Sequence, residues 1–399
     1  MKILLGLIAR FLNLFIRTKE NYWAFGAFKG QAYVEGSKYL MEYMLLHHPE
    51  YHCTFFTMNK SLCEELNAKG IPCAYNLSVR GIIKIAKCEA VFTTQTIADI
   101  RYAFRKKNRR YYYLVHGMPL KKSWKQLPKD YATRLMEGNG ILARTKDKIS
   151  WLLTLGYSYK DISFVSACSE FLAGFMKIEF DDSVKVKVLG MPRNDVLFDV
   201  KRMKNEKWID GLDGKFIVTY MPTHRGYGTG EITPTPFVNR PDINQWLKEH
   251  NVVLLMKNHP NMISKMQTFI DTETIKDITK LGIDPQVCIY HSDALITDFS
   301  SVWMDYLLLK RPILFYIYDD FEHNDVGTYY DIRKANIGSF CYTEDELFEL
   351  IKKCKNDTNN MVTDSSVLAK YHKYVDGNSC CRYYNEVNQD LKMMRYGVC

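Results

Sequence analysis

The chain has 399 residues, of which 47% are hydrophobic and 25% charged, with a formal net charge of +9. That length exceeds one small core and suits two folded domains of ordinary globular composition. The positive balance points to an anionic partner, a lipid headgroup or a phosphate-bearing substrate; with no zinc-finger, RRM or KH signature, no nucleic acid is expected.

The first seventeen residues read MKILLGLIARFLNLFIR. The uncharged run from Ile3 to Ala9 is broken by Arg10, whereas a membrane span needs roughly 20 mostly apolar residues. A secretory signal would lack the mid-segment arginine and end in small residues. At about 100° per residue, Lys2, Gly6, Arg10, Asn13 and Arg17 fall within an arc of about 80°. The remaining positions are Leu, Ile, Phe or Ala, the pattern of an amphipathic helix lying at a membrane surface with a narrow basic stripe. The competing expectation is a helix packed on its own domain.

Beyond it, apolar strand-like runs alternate with helical stretches, the pattern of α/β folds built on parallel sheets. Strands are predicted at 90–93, 111–115, 140–143, 185–188, 215–220, 252–256, 294–296 and 313–316. Helices are predicted at 36–46, 61–68, 149–155, 169–176, 243–249, 302–309 and 344–353. The turn-rich run Gly190-Met191-Pro192-Arg193-Asn194-Asp195 and the hydrophilic stretch 201–214 mark a boundary. The expected division is a helix at 1–20, an N-terminal Rossmann-like domain at 21–192 and a C-terminal one at 193–399. The 11 cysteines are odd in number and scattered, with no CxxC pair, and read as reduced thiols packed as small apolar residues.

Four strand-like runs end in short polar motifs. Residues 111–115 lead into His116-Gly117-Met118-Pro119-Leu120-Lys121-Lys122, and 215–220 into Met221-Pro222-Thr223-His224-Arg225. Residues 252–256 lead into Lys257-Asn258-His259-Pro260, and 294–296 into Thr297-Asp298-Phe299-Ser300-Ser301. In open α/β sheets ligands sit beyond the carboxyl ends of the strands, so four such termini outline one kind of site. Ser300 and Ser301 open a helix, whose free N–H groups and dipole suit a diphosphate. Asp305, one turn on, would repel phosphate and suits a ribose hydroxyl or a water. A plain serine N-cap is the alternative for the pair. His116 and His259 are the candidate proton-transfer groups. Gly117 permits close approach of a ligand, Pro119 stiffens the turn, and Arg193, Arg225 and Lys257 can neutralise a diphosphate.

The basic cluster Arg101, Arg105, Lys106, Lys107, Arg109 and Arg110 reads as a site for an anionic acceptor or lipid surface, or as a solvated face. The acidic run Asp319-Asp320-Phe321-Glu322 reads as a solvated loop rather than a metal site. No Walker A loop, GxGxxG or HExxH occurs, and neither a cofactor nor a metal is expected.

The runs HGMPLKK, GMPRND, MPTHR, KNHP and ITDFSSVWMDYLLLKRPILFY occur in this order and together resemble the CDP-glycerol glycerophosphotransferase family, the teichoic-acid primases and polymerases. The similarity covers roughly residues 85–340 and is most specific at 296–316. It implies a GT-B fold, two Rossmann-like domains facing a cleft, with CDP held mainly by the C-terminal one. It also implies donor contacts from His116 to Leu120 (Gly117, Met118 and Pro119 included), Arg193, Pro222, Thr223, Lys257 to His259, Ser300, Ser301 and Asp305.

The implied reaction moves glycerol phosphate from CDP-glycerol, or ribitol phosphate from CDP-ribitol, to a polyprenyl-diphosphate-linked saccharide or polyol-phosphate acceptor. The implied location is the cytoplasmic face of the bacterial membrane, as a peripheral protein. His224 stands where the family has an aromatic, and Met118 where threonine is common; neither change removes a charge. At this length the chain has room for two catalytic domains without the further N-terminal domain of some polymerases, which suggests a primase-like or short-chain transferase. The rival expectations are a GT-B glycosyltransferase using a nucleotide sugar and a non-catalytic membrane scaffold.

Overall fold

The computed structural model describes residues 2–122, 152–223, 235–258, 271–319 and 327–397. The chain divides into two compact units. The first comprises Met1–Met118, Ser123–Asp195 and Asp376–Cys399, and the second Pro119–Lys122 and Val196–Val375. The expected division drew one cut near residue 192; in the structure the last helix, Ser379–Tyr396, belongs with the first unit.

The first unit is built on seven strands: β1 (Lys19–Phe25), β2 (His52–Thr57), β3 (Cys73–Tyr75), β4 (Cys88–Thr93), β5 (Arg110–Tyr113), β6 (Ile162–Ala167) and β7 (Lys185–Val188). Their order is β3-β2-β1-β4-β5-β6-β7, and every pairing is parallel. A parallel sheet covered on both faces needs near-continuous apolar runs, and β4 is buried at every position. One row of the sheet is aromatic, because the register sets Phe25 beside Phe92, Phe92 beside Tyr112 and Tyr112 beside Phe164. The successive ring centroids lie 4.7, 5.0 and 5.0 Å apart, within the range of favourable aromatic pairs. Helices Glu35–His47 and Ser379–Tyr396 pack on this row through Leu40, Met41, Met44, Tyr383, Val387 and Leu391.

The second unit repeats the scheme with β8 (Phe216–Tyr220), β9 (Val252–Met256), β10 (Ile275–Asp277), β11 (Ala294–Thr297), β12 (Ile313–Tyr316) and β13 (Ser339–Cys341). The order is β10-β9-β8-β11-β12-β13, again wholly parallel. Both sheets are doubly wound, and each has one place where the strand order reverses, between β1 and β4 and between β8 and β11.

The predicted strands at 185–188, 252–256 and 313–316 coincide with β7, β9 and β12, and the other described ones differ from their predictions only at the ends. The predicted strand 140–143 and the first three residues of the predicted helix 149–155 lie outside the described residues, as do Asp320, Phe321 and Glu322.

The first helix runs Lys2–Phe15, and no helix among the described residues is long and apolar enough to cross a membrane. The middle of its polar arc, Gly6 and Arg10, faces its own unit. A Cβ on Gly6 would meet the Leu153 carbonyl oxygen at 2.6 Å, Arg10 donates to the Leu152 carbonyl, and the Arg10 guanidinium lies 4.8 Å from the centre of the Phe104 ring. The apolar side chains Leu4, Leu7, Phe11, Leu14 and Phe15 are left exposed.

The basic cluster divides by burial. Arg109 is 2% exposed and donates to the carbonyls of Cys88, Phe104, Ile85 and Ala86, so it is an internal clamp. Lys106 donates to the carbonyls of Ile16 and Ala86, and burial, with Arg109 beside it, pushes its amine down to about 8. Arg105 and Lys107 remain exposed.

Candidate functional site

In the second unit the register sets three of the polar motifs at one level. Tyr220, the last residue of β8, lies beside Met256 of β9 and Ile296 of β11. The Lys257 N–H donates to the Tyr220 carbonyl and the Met221 N–H to that of Ile296, both continuing the ladder into the loops. The Thr297 hydroxyl donates to the Met221 carbonyl at 2.8 Å. Pro222, Thr223, Lys257, Asn258, Ser300, Ser301 and Asp305 are therefore gathered at the carboxyl edge of one sheet, around the β8/β11 reversal.

Asp298, fully buried, ties the reversal together. One of its carboxylate oxygens accepts the Thr223 N–H at 2.7 Å and the Ser300 N–H at 3.2 Å. A single carboxylate thus fixes the loops that follow β8 and β11. It belongs to a quoted motif yet lay outside the sequence-derived contacts; the only signal was an acidic residue ending an apolar strand.

Asn258 is buried and donates its N–H to Thr279 Oγ1 at 3.0 Å, which anchors the β9 loop. Lys257 is partly exposed and forms no ion pair with the described residues. Ser301 precedes helix Val302–Leu307, and its hydroxyl makes no capping hydrogen bond. The plain N-cap expectation therefore does not account for it. Asp305 is 2% exposed, on the helix whose Met304 carbonyl contacts His372 Nε2 at 2.6 Å. Arg225, His224 and His259 lie outside the described residues.

The first unit has a parallel arrangement at its own reversal. Asp99, 1% exposed, accepts the N–H of Lys29 at 2.7 Å, those of Thr94 and Gln95 at 2.9 Å and that of Thr96 at 3.3 Å. It thereby joins the loops after β1 and β4, and burial raises its carboxyl above the usual aspartate value. The next strand, β5, delivers His116. Val115, just before it, has φ +47°, a left-handed conformation that costs a β-branched residue about 1–3 kcal/mol.

Arg193 holds that turn. Its guanidinium, 8% exposed, donates to the His116 carbonyl and pairs with Glu35 Oε2 at 2.7 Å. His116 itself is exposed and Gly117 partly so, whereas Met118, Pro119 and Leu120 are packed inside. Pro119–Lys122 belong to the second unit, where the Leu120 carbonyl accepts the Tyr329 N–H at 2.8 Å and the Lys122 N–H donates to Gly327 at 3.0 Å.

The rest of the Gly190–Asp195 run closes the first unit on itself. Gly190 has φ +84°, and a Cβ there would sit 2.4 Å from Ser379 Oγ. Asp195 accepts the N–H groups of Ser379 and Cys380 at 2.8 and 2.7 Å, capping the last helix.

Two doubly wound parallel sheets, with polar loops collected where the strand order reverses, define a two-unit α/β protein of the class in which ligands bind beyond the strand carboxyl ends. The chain belongs to the CDP-Glycerol:Poly(glycerophosphate) glycerophosphotransferase family, whose model matches residues 8–389. It is 25% identical over 352 residues to the teichoic acid poly(glycerol phosphate) polymerase of Bacillus subtilis (strain 168), covering 84% of this chain and 44% of the relative. It is 26% identical over 213 residues to the teichoic acid ribitol-phosphate polymerase TarK of Staphylococcus aureus (strain NCTC 8325 / PS 47), covering 50% of this chain and 39% of the relative. The chain thus spans less than half the length of either. Its fold matches that of a solved variant of the wall teichoic acid polymerase TagF, with a TM-score of 0.73 at 19% identity, over 99% of this chain and 97% of the other.

Proposed function

We propose that the protein transfers glycerol phosphate from CDP-glycerol to a hydroxyl of a lipid-linked acceptor, a polyprenyl-diphosphate-linked saccharide or a polyol phosphate. The observation that carries this reading is the set of motif loops around the β8/β11 reversal, with Lys257 free of ion pairs among the described residues and the Ser301 hydroxyl making no capping hydrogen bond. In this proposal Lys257, Ser300 and Ser301 receive the diphosphate, joined by Arg225 and His259. Pro222, Thr223, Asn258 and Asp305 shape the rest of the donor site. The facing GT-B arrangement of the two units is part of the same proposal.

The acceptor oxygen attacks the phosphorus that carries glycerol, forming a new P–O bond. The bond from that phosphorus to the bridging oxygen breaks, and CMP leaves with the electron pair. His116 takes the acceptor proton. Catalysis of this kind rests on positioning and on charge stabilisation.

A ribitol donor is the second reading, favoured by the likeness to a ribitol-phosphate polymerase. A nucleotide-sugar glycosyltransferase is separated from both by thermal-shift comparison of CDP-glycerol, CDP-ribitol and UDP-sugars. We place the protein peripherally at the cytoplasmic face of the membrane, held by the exposed apolar side of helix Lys2–Phe15.

The test is CMP release by His116→Ala with CDP-glycerol and a defined acceptor. A general base contributes about 10²–10⁴-fold, and a loss of that size is expected. Near wild-type release would refute the base assignment.

A further inference from the structure

Beside the first helix, and apart from the strand-end loops, lies a cavity of about 400 Å³ lined by Arg10, Asn13 and Arg105 together with Phe11, Leu14 and Phe104. Two arginines line it. Arg10 Nε and Asn13 Oδ1 are buried and have no hydrogen-bond partner among the described residues. Buried donors and acceptors are almost always satisfied, and these two orphaned atoms belong to residues that line the cavity. Arg105 is tied to Asp161 at 2.6 Å through a single nitrogen, Nη2, which leaves other donors of its fork for a second anion.

The cavity adjoins an apolar surface. Leu4, Leu7, Phe11 and Leu14 follow one another at three- and four-residue steps along one helix face, with exposures of 62, 53, 62 and 79%. The cationic groups stand beside this stripe, and Arg17 and Lys107 are exposed nearby in the chain. An occupant that suits both parts has an anionic head and an apolar body. The phosphate answers the arginines, and acyl chains cover the stripe.

We propose that this cavity is a headgroup site for an anionic phospholipid, which docks the protein on the bilayer through helix Lys2–Phe15. The site rests on the membrane-surface reading above and gives it a defined lipid contact. It also inverts the expected geometry of the helix. The basic residue at its centre, Arg10, turns toward the protein and holds the lipid phosphate from inside, while the apolar stripe faces the acyl layer.

The experiment is sedimentation of the full chain with phosphatidylcholine vesicles, with and without phosphatidylglycerol. Loss of one guanidinium, in Arg105→Gln or Arg10→Gln, is expected to weaken binding to the phosphatidylglycerol vesicles about fivefold. Phe11→Ser is expected to weaken binding to both kinds of vesicle. Because Arg10 also anchors the helix, the second readout is made on the wild type: short-chain phosphatidylglycerol, below its micelle threshold, should shift the Arg10 Nε–H resonance.

An Arg105→Gln protein that binds like wild type, together with an unmoved Arg10 resonance, overturns the headgroup site but leaves the membrane reading standing. Full vesicle binding by Phe11→Ser overturns both. A prenyl diphosphate that displaces the short-chain phospholipid overturns the choice of lipid. A dimer abolished by Phe11→Ser, with vesicle binding unchanged, assigns the stripe to a second copy of the chain instead. CMP release from a water-soluble acceptor tests the transferase reading separately.

Discussion

Arg193 shows how a residue's type can suggest one role and its surroundings another. As an arginine in a turn-rich run it reads as a counter-ion for a diphosphate. In the structure its guanidinium is buried, paired with Glu35 and bonded to the carbonyl of His116. The strained Val115 turn sits directly before that carbonyl, so the pair is placed to hold the imidazole in position. Glu35→Gln removes the charge from this contact and is expected to cost the first unit about 1.5–3 kcal/mol. With the imidazole displaced, kcat for CMP release should fall about 10- to 100-fold, with KM for the donor little changed. If Arg193 touches the donor directly, Arg193→Lys will raise KM instead, since lysine lacks the bidentate fork. Steady-state kinetics on the two variants separate these roles. Glu35 gives no signal in the sequence, because nothing in its neighbours indicates a partner 158 positions away.

At the scale of elements, the strands that were readable are those with long apolar runs, such as β4, β9 and β12. The edge strands β3, β10 and β13 span three residues each, too few for a period to show. Helix Val302–Leu307 carries Asp305 and follows Ser300 and Ser301, and it is secured from behind by His372. Burial holds the His372 imidazole below the usual histidine value, and the nearby Asp305 acts in the opposite direction. The ring is therefore neutral in the fold, and the unfolded chain takes up the proton first as pH drops. The contribution of His372 is fully present above about pH 6.5 and is lost as pH falls through its lowered folded value. Protection factors for backbone amides of this helix, measured by hydrogen exchange at pH 7.5 and 5.5, should fall on acidification in the wild type. They should fall less in His372→Gln. His291, also held low by burial, packs on Trp208 elsewhere in the unit, so the local readout isolates His372.

At the scale of the whole molecule, the two sheets share a topology, and each uses a buried aspartate at its reversal, Asp99 in one and Asp298 in the other. The C-terminal helix returns to the first unit, where Tyr112 donates to Asp390 at 2.8 Å and Glu89, buried in β4, receives Arg395. Asp195 starts that helix, so Asp195→Ala should lower the stability of the first unit by about 1–2 kcal/mol, and Asp195→Asn by less. Hydrogen exchange across 379–396 measures this, and an unchanged protection pattern would show that side-chain packing alone holds the helix.

The sequence by itself determined seven of the thirteen described strands and their polarity, while β1, β2, β3, β6, β10, β13 and the last helix were not predicted. Continuous apolar runs required parallel strands buried on both faces, and polar motifs after those runs placed candidate ligand groups at the carboxyl ends. Those properties are local, set by residues within a few positions of one another. Tertiary structure alone decided which ends meet, because pairing register and strand order join residues far apart in the chain. It put Asp298 across the loops of β8 and β11, set Arg193, an expected donor contact, against Glu35 and the His116 carbonyl, and carried the last helix back to the first sheet. It also chose the buried side of helix Lys2–Phe15. The helical period shows two faces, but only the close approach of Gly6 to Leu153 and the bond from Arg10 to Leu152 turn the middle of the polar face inward.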